Sequence, residues 1–357
     1  MAVTYVNGKF AAQRTTGVQR VAERLVQALD TQVVGPWVLL CPPGAELPRL
    51  QRIEARTVGI RGLPLHLWEQ LVLPIAARDG LLVNLAGAAP AFARRQVCML
   101  HDAAVFDHAE AYTFGFAVWY RWLFRRLART AQALFTVSSF SRERLALHLG
   151  LAAARITVVP NGSDHLDAVA PDDSVLARHG LLGLRYLLAV ASANPTKNIA
   201  TLVAAFAGLP PDAARRLVIV GGRNGRVFAD NAADDPPGVV RTGPLGDAPL
   251  KALYQNAVAL VFPSLYEGFG LPPLEAMTCG CPVAAARAAS IPEVCGDAVL
   301  YFDPLSVDDI GAALRRILGD EALRARLRKA GAIQAAPFNW GAAAESLLAR
   351  LSASRSA

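Results

Sequence analysis

Short apolar runs alternate with longer amphipathic stretches along nearly the whole chain, and this alternation limits the fold more than any other feature of the sequence. Residues 3–6, 33–40, 81–85, 96–100, 133–137 and 156–159 read as strands, with helical stretches at 18–29 and 116–129 between them. Ser141 reads as the cap of the helix after 133–137. A second series follows, with strands at 186–191, 217–220, 239–241, 259–262, 282–285 and 298–302. Helices at 199–206, 248–256 and 272–279 separate them, a helix starts at 290–294, and 307–318 is helical. Strands that are apolar on both faces and alternate with helices belong to parallel sheets covered on both sides.

At roughly 150 residues per domain, 357 residues predict two domains. The stretch 163–182 is irregular and rich in Asp, Pro and Gly, which places a linker at 166–182 between domains at 1–165 and 183–340. Residues 341–357 then form a terminal helix that is expected to cross back to the first domain.

Several function classes drop out. Hydrophobic residues make up 53% of the chain, yet no run approaches the roughly 18 apolar residues of a membrane span. The N-terminus lacks the charged and apolar regions of a secretion signal, so a cytoplasmic protein is expected. Five cysteines, an odd number, argue against a disulfide framework. Cys279, Cys281 and Cys295 have no matching second pair for a metal, so they read as small buried apolar groups. A net charge of +7 favours acidic partners. Nucleic acid is not expected among them, because neither zinc-finger spacing nor an aromatic-interleaved basic motif is present.

The most informative stretch is Phe262-Pro-Ser-Leu-Tyr-Glu-Gly-Phe-Gly-Leu-Pro-Pro-Leu-Glu-Ala-Met-Thr-Cys-Gly-Cys-Pro-Val283. A strand leads into a glycine-bearing loop, a short helix and a second strand. Pro272 and Pro273 suit the first turn of that helix, and Gly280 suits its end. A glycine loop feeding a helix start is a cradle for anions, because backbone N–H groups and the helix dipole both favour phosphate. Glu267 and Glu275, eight residues apart, flank it. Carboxylates repel phosphate, so they suit neutral hydroxyls: Glu267 those of a sugar, Glu275 those of a ribose. A glycosidase pair is disfavoured, because that chemistry needs two carboxyls facing each other across the scissile bond.

This stretch resembles the Glu-x7-Glu motif of the retaining glycosyltransferase family 4, whose GT-B fold is two Rossmann-like α/β domains with parallel sheets facing across a cleft. The resemblance extends to Tyr186-Leu-Leu-Ala-Val-Ala-Ser-Ala-Asn-Pro-Thr-Lys-Asn-Ile199, Leu217-Val-Ile-Val-Gly-Gly222 and Arg241-Thr-Gly-Pro-Leu245. In the first half it includes Gly17-Val-Gln-Arg20, Leu100-His-Asp102, Thr136-Val-Ser-Ser139 and Val158-Val-Pro-Asn-Gly162. It implies that Glu267 holds the donor sugar, Lys197 neutralises the diphosphate and His101 lines the sugar from the first domain. Gly268, Phe269, Gly270 and Leu271 become the backbone cradle, and Glu275 the ribose ligand. Gly17 lets the first loop approach the diphosphate, and Gly243 to Leu245 read the base. The family often has an arginine early in the basic loop; this chain has Ala191-Ser192-Ala193 there, and Arg223 is the candidate replacement.

The implied activity is transfer of a sugar from a nucleoside diphosphate donor, GDP-mannose foremost, to a glycan acceptor with retention of configuration. The expected acceptor is a lipid-linked oligosaccharide of surface polysaccharide or lipopolysaccharide synthesis, bound by the first domain. Neither cofactor nor metal is expected, because no Asp-x-Asp triplet is present. An epimerase of the same fold and a non-catalytic assembly partner are the alternatives. A dinucleotide oxidoreductase is disfavoured by the missing G-x-G-x-x-G fingerprint. Arg121, Arg125, Arg126 and Arg129 share a helix with Trp119, Tyr120, Trp122 and Phe124. That helix reads either as an ordinary charged helix or as a surface for anionic lipid at the inner face of a membrane.

Overall fold

A computed structural model describes residues 3–192, 194–212, 215–222 and 235–355. Contacts divide the chain into two compact units, one of Met1–Phe106, Gly115–Gly162 and Phe338–Ala357, the other of Asp107–Phe114 and Ser163–Pro337.

The first unit is built on a seven-stranded parallel sheet: β1 (Thr4–Asn7), β2 (Trp37–Cys41), β3 (Ile53–Thr57), β4 (Leu81–Asn84), β5 (Gln96–Met99), β6 (Ala133–Thr136) and β7 (Ile156–Val158). Their spatial order is β3-β2-β1-β4-β5-β6-β7. β1, β2, β4, β5 and β6 are buried along their whole length, mostly apolar but with Thr4, Asn7, Asn84, Gln96 and Thr136 as buried polar side chains at their ends.

Three local readings are corrected. The strand expected at 33–40 begins at Trp37, because the helix Gly17–Gln32 runs on to Val33 and Gly35 turns the chain at φ 85°. β3 was not expected: of its residues only Ile53 is buried, the pattern of an edge strand with a weak apolar signal. Its start is fixed by Asp30, whose carboxylate accepts from the backbone N–H groups of Gln51, Arg52 and Ile53 at 2.6, 2.8 and 2.8 Å. Burial raises the Asp30 pKa, but these bonds more than offset it and leave the carboxyl below its ordinary range. Lastly, Ser138 and not Ser141 caps the helix Ser139–Leu149; its hydroxyl oxygen accepts from the Ser141 N–H at 3.0 Å.

The second unit is a six-stranded parallel sheet: β8 (Arg185–Val190), β9 (Arg215–Val220), β10 (Val239–Gly243), β11 (Ala259–Phe262), β12 (Val283–Ala286) and β13 (Leu300–Phe302). The order is β10-β9-β8-β11-β12-β13. The segment read as a linker contains the helix Ser174–Arg178 and buries Leu166, Val175, Leu176 and Leu181. It is fastened to the helix Asp247–Asn256, where Lys251 donates to the Leu166 carbonyl at 2.7 Å and the Asp172 N–H donates to the Ala248 carbonyl at 3.0 Å. The terminal helix Trp340–Arg355 packs in the first unit against Gly17–Gln32, with Gln32 Nε2 donating to the Gly341 carbonyl at 2.9 Å.

Candidate functional site

In an open parallel sheet, ligands bind beyond the carboxyl ends of the strands where the strand order reverses. In the second unit that point lies between β8 and β11. Lys197 follows β8 and Glu267 follows β11, so the topology brings them together across 70 residues of sequence. Lys197 Nζ donates to both carboxylate oxygens of Glu267, at 2.7 and 2.8 Å. The side chains are 23% and 12% exposed, so the pair is sheltered yet reachable.

The two loops are fixed independently of this pair. Lys197 ends the short turn Pro195–Lys197, which Asn194 caps by accepting from the Thr196 N–H at 3.0 Å and the Thr196 hydroxyl at 2.9 Å. Asn198 then takes a left-handed conformation, φ 57°, which asparagine tolerates better than most residues. Its side-chain amide donates to the carbonyls of Pro263 at 3.2 Å and Pro304 at 2.8 Å. The Leu265 N–H donates to the Thr196 carbonyl at 2.8 Å, stitching one loop to the other.

Beneath the Glu267 loop lies Ser290, fully buried, with its hydroxyl 2.9 Å from the Glu267 carbonyl and 3.0 Å from that of Phe269. Its neighbour Ala289 sits at φ 51°, a conformation that costs a non-glycine residue on the order of 1 kcal/mol. Gly270 stands at φ 100° before the helix Leu271–Thr278, where the left-handed turn calls for glycine. Pro272 and Pro273 have no N–H, so that helix turn offers donors only at Leu271 and Leu274, and the cradle depends on the loop ahead of it.

Glu275 lies deeper, 4% exposed. One carboxylate oxygen accepts from the Tyr254 hydroxyl at 3.0 Å and the other is 3.3 Å from His165 Nε2. At the far side of the sheet, the Gly221 N–H donates to the Gly243 carbonyl at 3.0 Å. A side chain at Gly221 would collide with the Ala191 carbonyl at 1.8 Å, so the β8 and β9 loops meet only because that residue is glycine. Leu245 follows, partly exposed, before the helix Asp247–Asn256.

His101 and Gly17 belong to the first unit. His101 is buried at the end of β5, its Nε2 2.8 Å from the Leu85 carbonyl. Burial pushes its pKa down to about 4, against a partial upward pull from that bond. Gly17 opens the helix Gly17–Gln32, with open space where a side chain would stand. Arg223 lies outside the described residues.

Ser290, Tyr254 and His165 escaped the sequence reading, since each gains its role from a partner 21 to 110 residues away. So did a buried ion pair at the switch point of the first sheet, between β1 and β4. There Lys9 donates to Glu69 at 2.7 Å, while Asn7 donates to Glu69 at 3.1 Å and to Asn84 at 3.0 Å. Glu69 is placed by a wide π-turn over Trp68–Val72, which no periodicity announces.

Comparison with known proteins agrees with this layout. Residues 15–165 match the family model described as Glycosyltransferase Family 4, and residues 178–334 the one described as Glycosyl transferases group 1. The chain is 34% identical over 257 residues to O-antigen chain mannosyltransferase B of Escherichia coli, a match covering 69% of this chain and 67% of that protein. It is 30% identical over 260 residues to the serotype-specific mannosyltransferase WbdA of the same species, covering 69% of this chain but only 32% of that longer protein. Among solved structures, Anabaena HepE in complex with UDP-glucose superposes with a TM-score of 0.75 at 19% identity, covering 98% and 99% of the two chains. WaaG, a glycosyltransferase involved in lipopolysaccharide biosynthesis, gives 0.74 at 17% identity, covering 97% and 98%. With its two Rossmann-like parallel sheets and the Lys197–Glu267 pair at the switch point of the second, the chain belongs to glycosyltransferase family 4.

Proposed function

We propose that this chain transfers a hexosyl residue from a nucleoside diphosphate sugar to a glycan acceptor with retention of the anomeric configuration, in the synthesis of a surface polysaccharide or lipopolysaccharide. The observation that carries the reading is the Lys197–Glu267 pair beside the start of the helix Leu271–Thr278. An arriving diphosphate competes with Glu267 for the Lys197 ammonium. Glu267 is thereby released to accept from the sugar's hydroxyls, while Lys197 and the positive end of the helix dipole meet the charge that grows on the leaving group. Such fixed charge lowers the barrier because it is in place before reaction; removing one donor of this kind costs about 3 to 4 kcal/mol of barrier in other enzymes. Lys197 and the helix supply positive charge without a metal, so a metal-free mechanism is part of this reading. Retention follows from departure and attack on one face of the ring, through an oxocarbenium-like state.

Mannose is the favoured sugar and GDP the favoured carrier, since relatives at 34% and 30% identity are named mannosyltransferases. A lipid-linked oligosaccharide at the inner face of a membrane is the favoured acceptor. Thermal unfolding with GDP-mannose, UDP-glucose and dTDP-glucose tests the donor. A ligand at 100 times its Kd stabilises the fold by about 2.7 kcal/mol. GDP-mannose is expected to give the largest upward shift. A shift with UDP-glucose alone would replace the donor assignment, and no shift with any nucleotide sugar would remove the reading.

A further inference from the structure

The loop that carries Glu267 is held from several sides besides its pairing with Lys197. The Leu265 N–H bonds the Thr196 carbonyl, and the Ser290 hydroxyl bonds the carbonyls of Glu267 and Phe269. A further hold is the side chain of Tyr266, the residue before Glu267. It is buried, 7% exposed, and its hydroxyl donates to a carboxylate oxygen of Asp107 at 2.9 Å. The His108 ring meets the Tyr266 ring edge-on, with centroids 5.0 Å apart and planes at 70°, a favourable arrangement of two aromatic rings. His108 is itself oriented by Glu110, whose carboxylate accepts from Nδ1 at 3.1 Å.

Asp107 and His108 come from far away in the sequence. They lie between β5 and β6, where the helical turn Ala104–Asp107 leads into the single turn Ala109–Ala111 and then the helix Phe114–Thr130. Residues Asp107–Phe114 nevertheless belong to the second unit. Ala111 is 5% exposed, so the segment is anchored there by burial as well as by the Tyr266 bond. Asp107 and Tyr266 are 159 residues apart, and no local pattern pairs them. A phenol donating to a half-buried carboxylate makes a charge-assisted hydrogen bond, stronger than one between neutral groups.

The effect falls on Glu267. The residue before it is fixed through the Tyr266 hydroxyl, and its own carbonyl is fixed through Ser290. With the backbone held on both sides, the freedom left to the Glu267 carboxylate is side-chain rotation, which the bond to Lys197 narrows further. We propose that Asp107, acting through Tyr266, is a positioning residue that sets the angle at which Glu267 meets the donor's sugar, a role that rests on the reading of Glu267 as the sugar-binding carboxylate. Position counts steeply in catalysis: a displacement of about 1 Å can cost on the order of a hundredfold in rate. Nucleotide affinity is assigned to other groups, Glu275 foremost, so losing the Asp107 bond should cost turnover and spare nucleotide binding.

The test is steady-state transfer by the full chain, with GDP-mannose and lipid-extracted acceptor. The variants are Tyr266→Phe, Asp107→Ala, Asp107→Asn and the double variant Tyr266→Phe/Asp107→Ala, beside Glu267→Ala. Thermal shifts with GDP show that each variant is folded with its nucleotide site intact. Tyr266→Phe keeps the buried ring and removes only the hydroxyl, so it carries the test even where Asp107→Ala fails to fold. kcat is expected to fall about tenfold in Tyr266→Phe and in Asp107→Ala, with KM for GDP-mannose and the shift by GDP unchanged. Asp107→Asn retains an acceptor for the phenol and should restore most of the rate. The double variant should lose no more than Asp107→Ala, since the same bond is broken either way. Parent kcat in Tyr266→Phe and Asp107→Ala, with Glu267→Ala inactive, would overturn the positioning role and leave the donor site standing. So would a rise in KM without loss of kcat, or losses that add. No transfer by the parent, or the parent's rate in Glu267→Ala, would instead remove the donor-site reading beneath it.

Discussion

The Lys197 ammonium lies within 2.8 Å of both carboxylate oxygens of Glu267, joining the loops that follow two neighbouring strands where the sheet order reverses. Without a donor, each group satisfies the other. Removing either one leaves its partner sheltered and uncompensated, so the two substitutions should not add. Lys197→Ala and Glu267→Ala are each expected to weaken donor binding at least tenfold, from the 1.5 to 3 kcal/mol of a hydrogen bond to a charged group. The double variant should lose less than the sum. Calorimetric titration of the four proteins measures the coupling, and strict additivity would mean that the pair does not act as a unit.

Ser290 acts on the same loop from below. Ser290→Ala leaves the Glu267 and Phe269 carbonyls without their buried donor, freeing the loop while leaving Lys197 in place. Turnover is expected to drop about tenfold with a smaller rise in KM for the donor, since a misplaced reacting group costs rate more than binding. Steady-state kinetics separate the two constants; a change in KM alone would reduce Ser290 to a loop anchor.

Glu275 is expected to serve both nucleotide binding and stability. Its carboxylate serves Tyr254 and His165 from within the fold. Glu275→Ala should lower the free energy of unfolding by about 1.5 to 3 kcal/mol and weaken nucleotide binding. Urea unfolding and titration with GDP follow the two effects. Unaltered stability would show that the buried contacts are dispensable.

His101 makes the fold sensitive to acid. Burial holds its pKa at about 4, well below the ordinary 6.5, so the folded protein binds no proton there until the pH nears 4. The unfolded chain takes one up as the pH falls through 6.5. Stability from this group is therefore complete above pH 6.5 and is lost progressively between 6.5 and 4. Unfolding midpoints across that window should fall less steeply for His101→Gln than for the parent, and identical slopes would mean that His101 does not contribute.

The parts of this molecule that were legible in the sequence were those written locally. Strands buried on both faces, such as Ala259–Phe262, announce themselves as apolar runs, and Pro272 and Gly280 mark the ends of the helix between β11 and β12. Ile53–Thr57 was illegible because an edge strand buries little. Ser138 and Ser141 compete for the same cap on composition alone, and only backbone geometry decides between them. Glu267 and Lys197 were each found from their surroundings and expected at one donor site, but their direct ion pair was not, because it depends on which strands become neighbours. The Lys9–Glu69 pair had no local signature: its partners lie 60 residues apart and meet through a π-turn.

Glu267 and Lys197 together are expected to form the donor site of a sugar transferase. The most direct measurement of this is release of GDP from GDP-mannose by the purified chain, with lipid-extracted acceptor, in the presence of a chelator. The parent is expected to release GDP with a matching gain of mannose on the acceptor, while Glu267→Ala, folded by its unfolding midpoint, does neither. Transfer by Glu267→Ala at the parent's rate would contradict the site, and parent activity that vanishes with the chelator and returns with magnesium would contradict the charge assignment to Lys197.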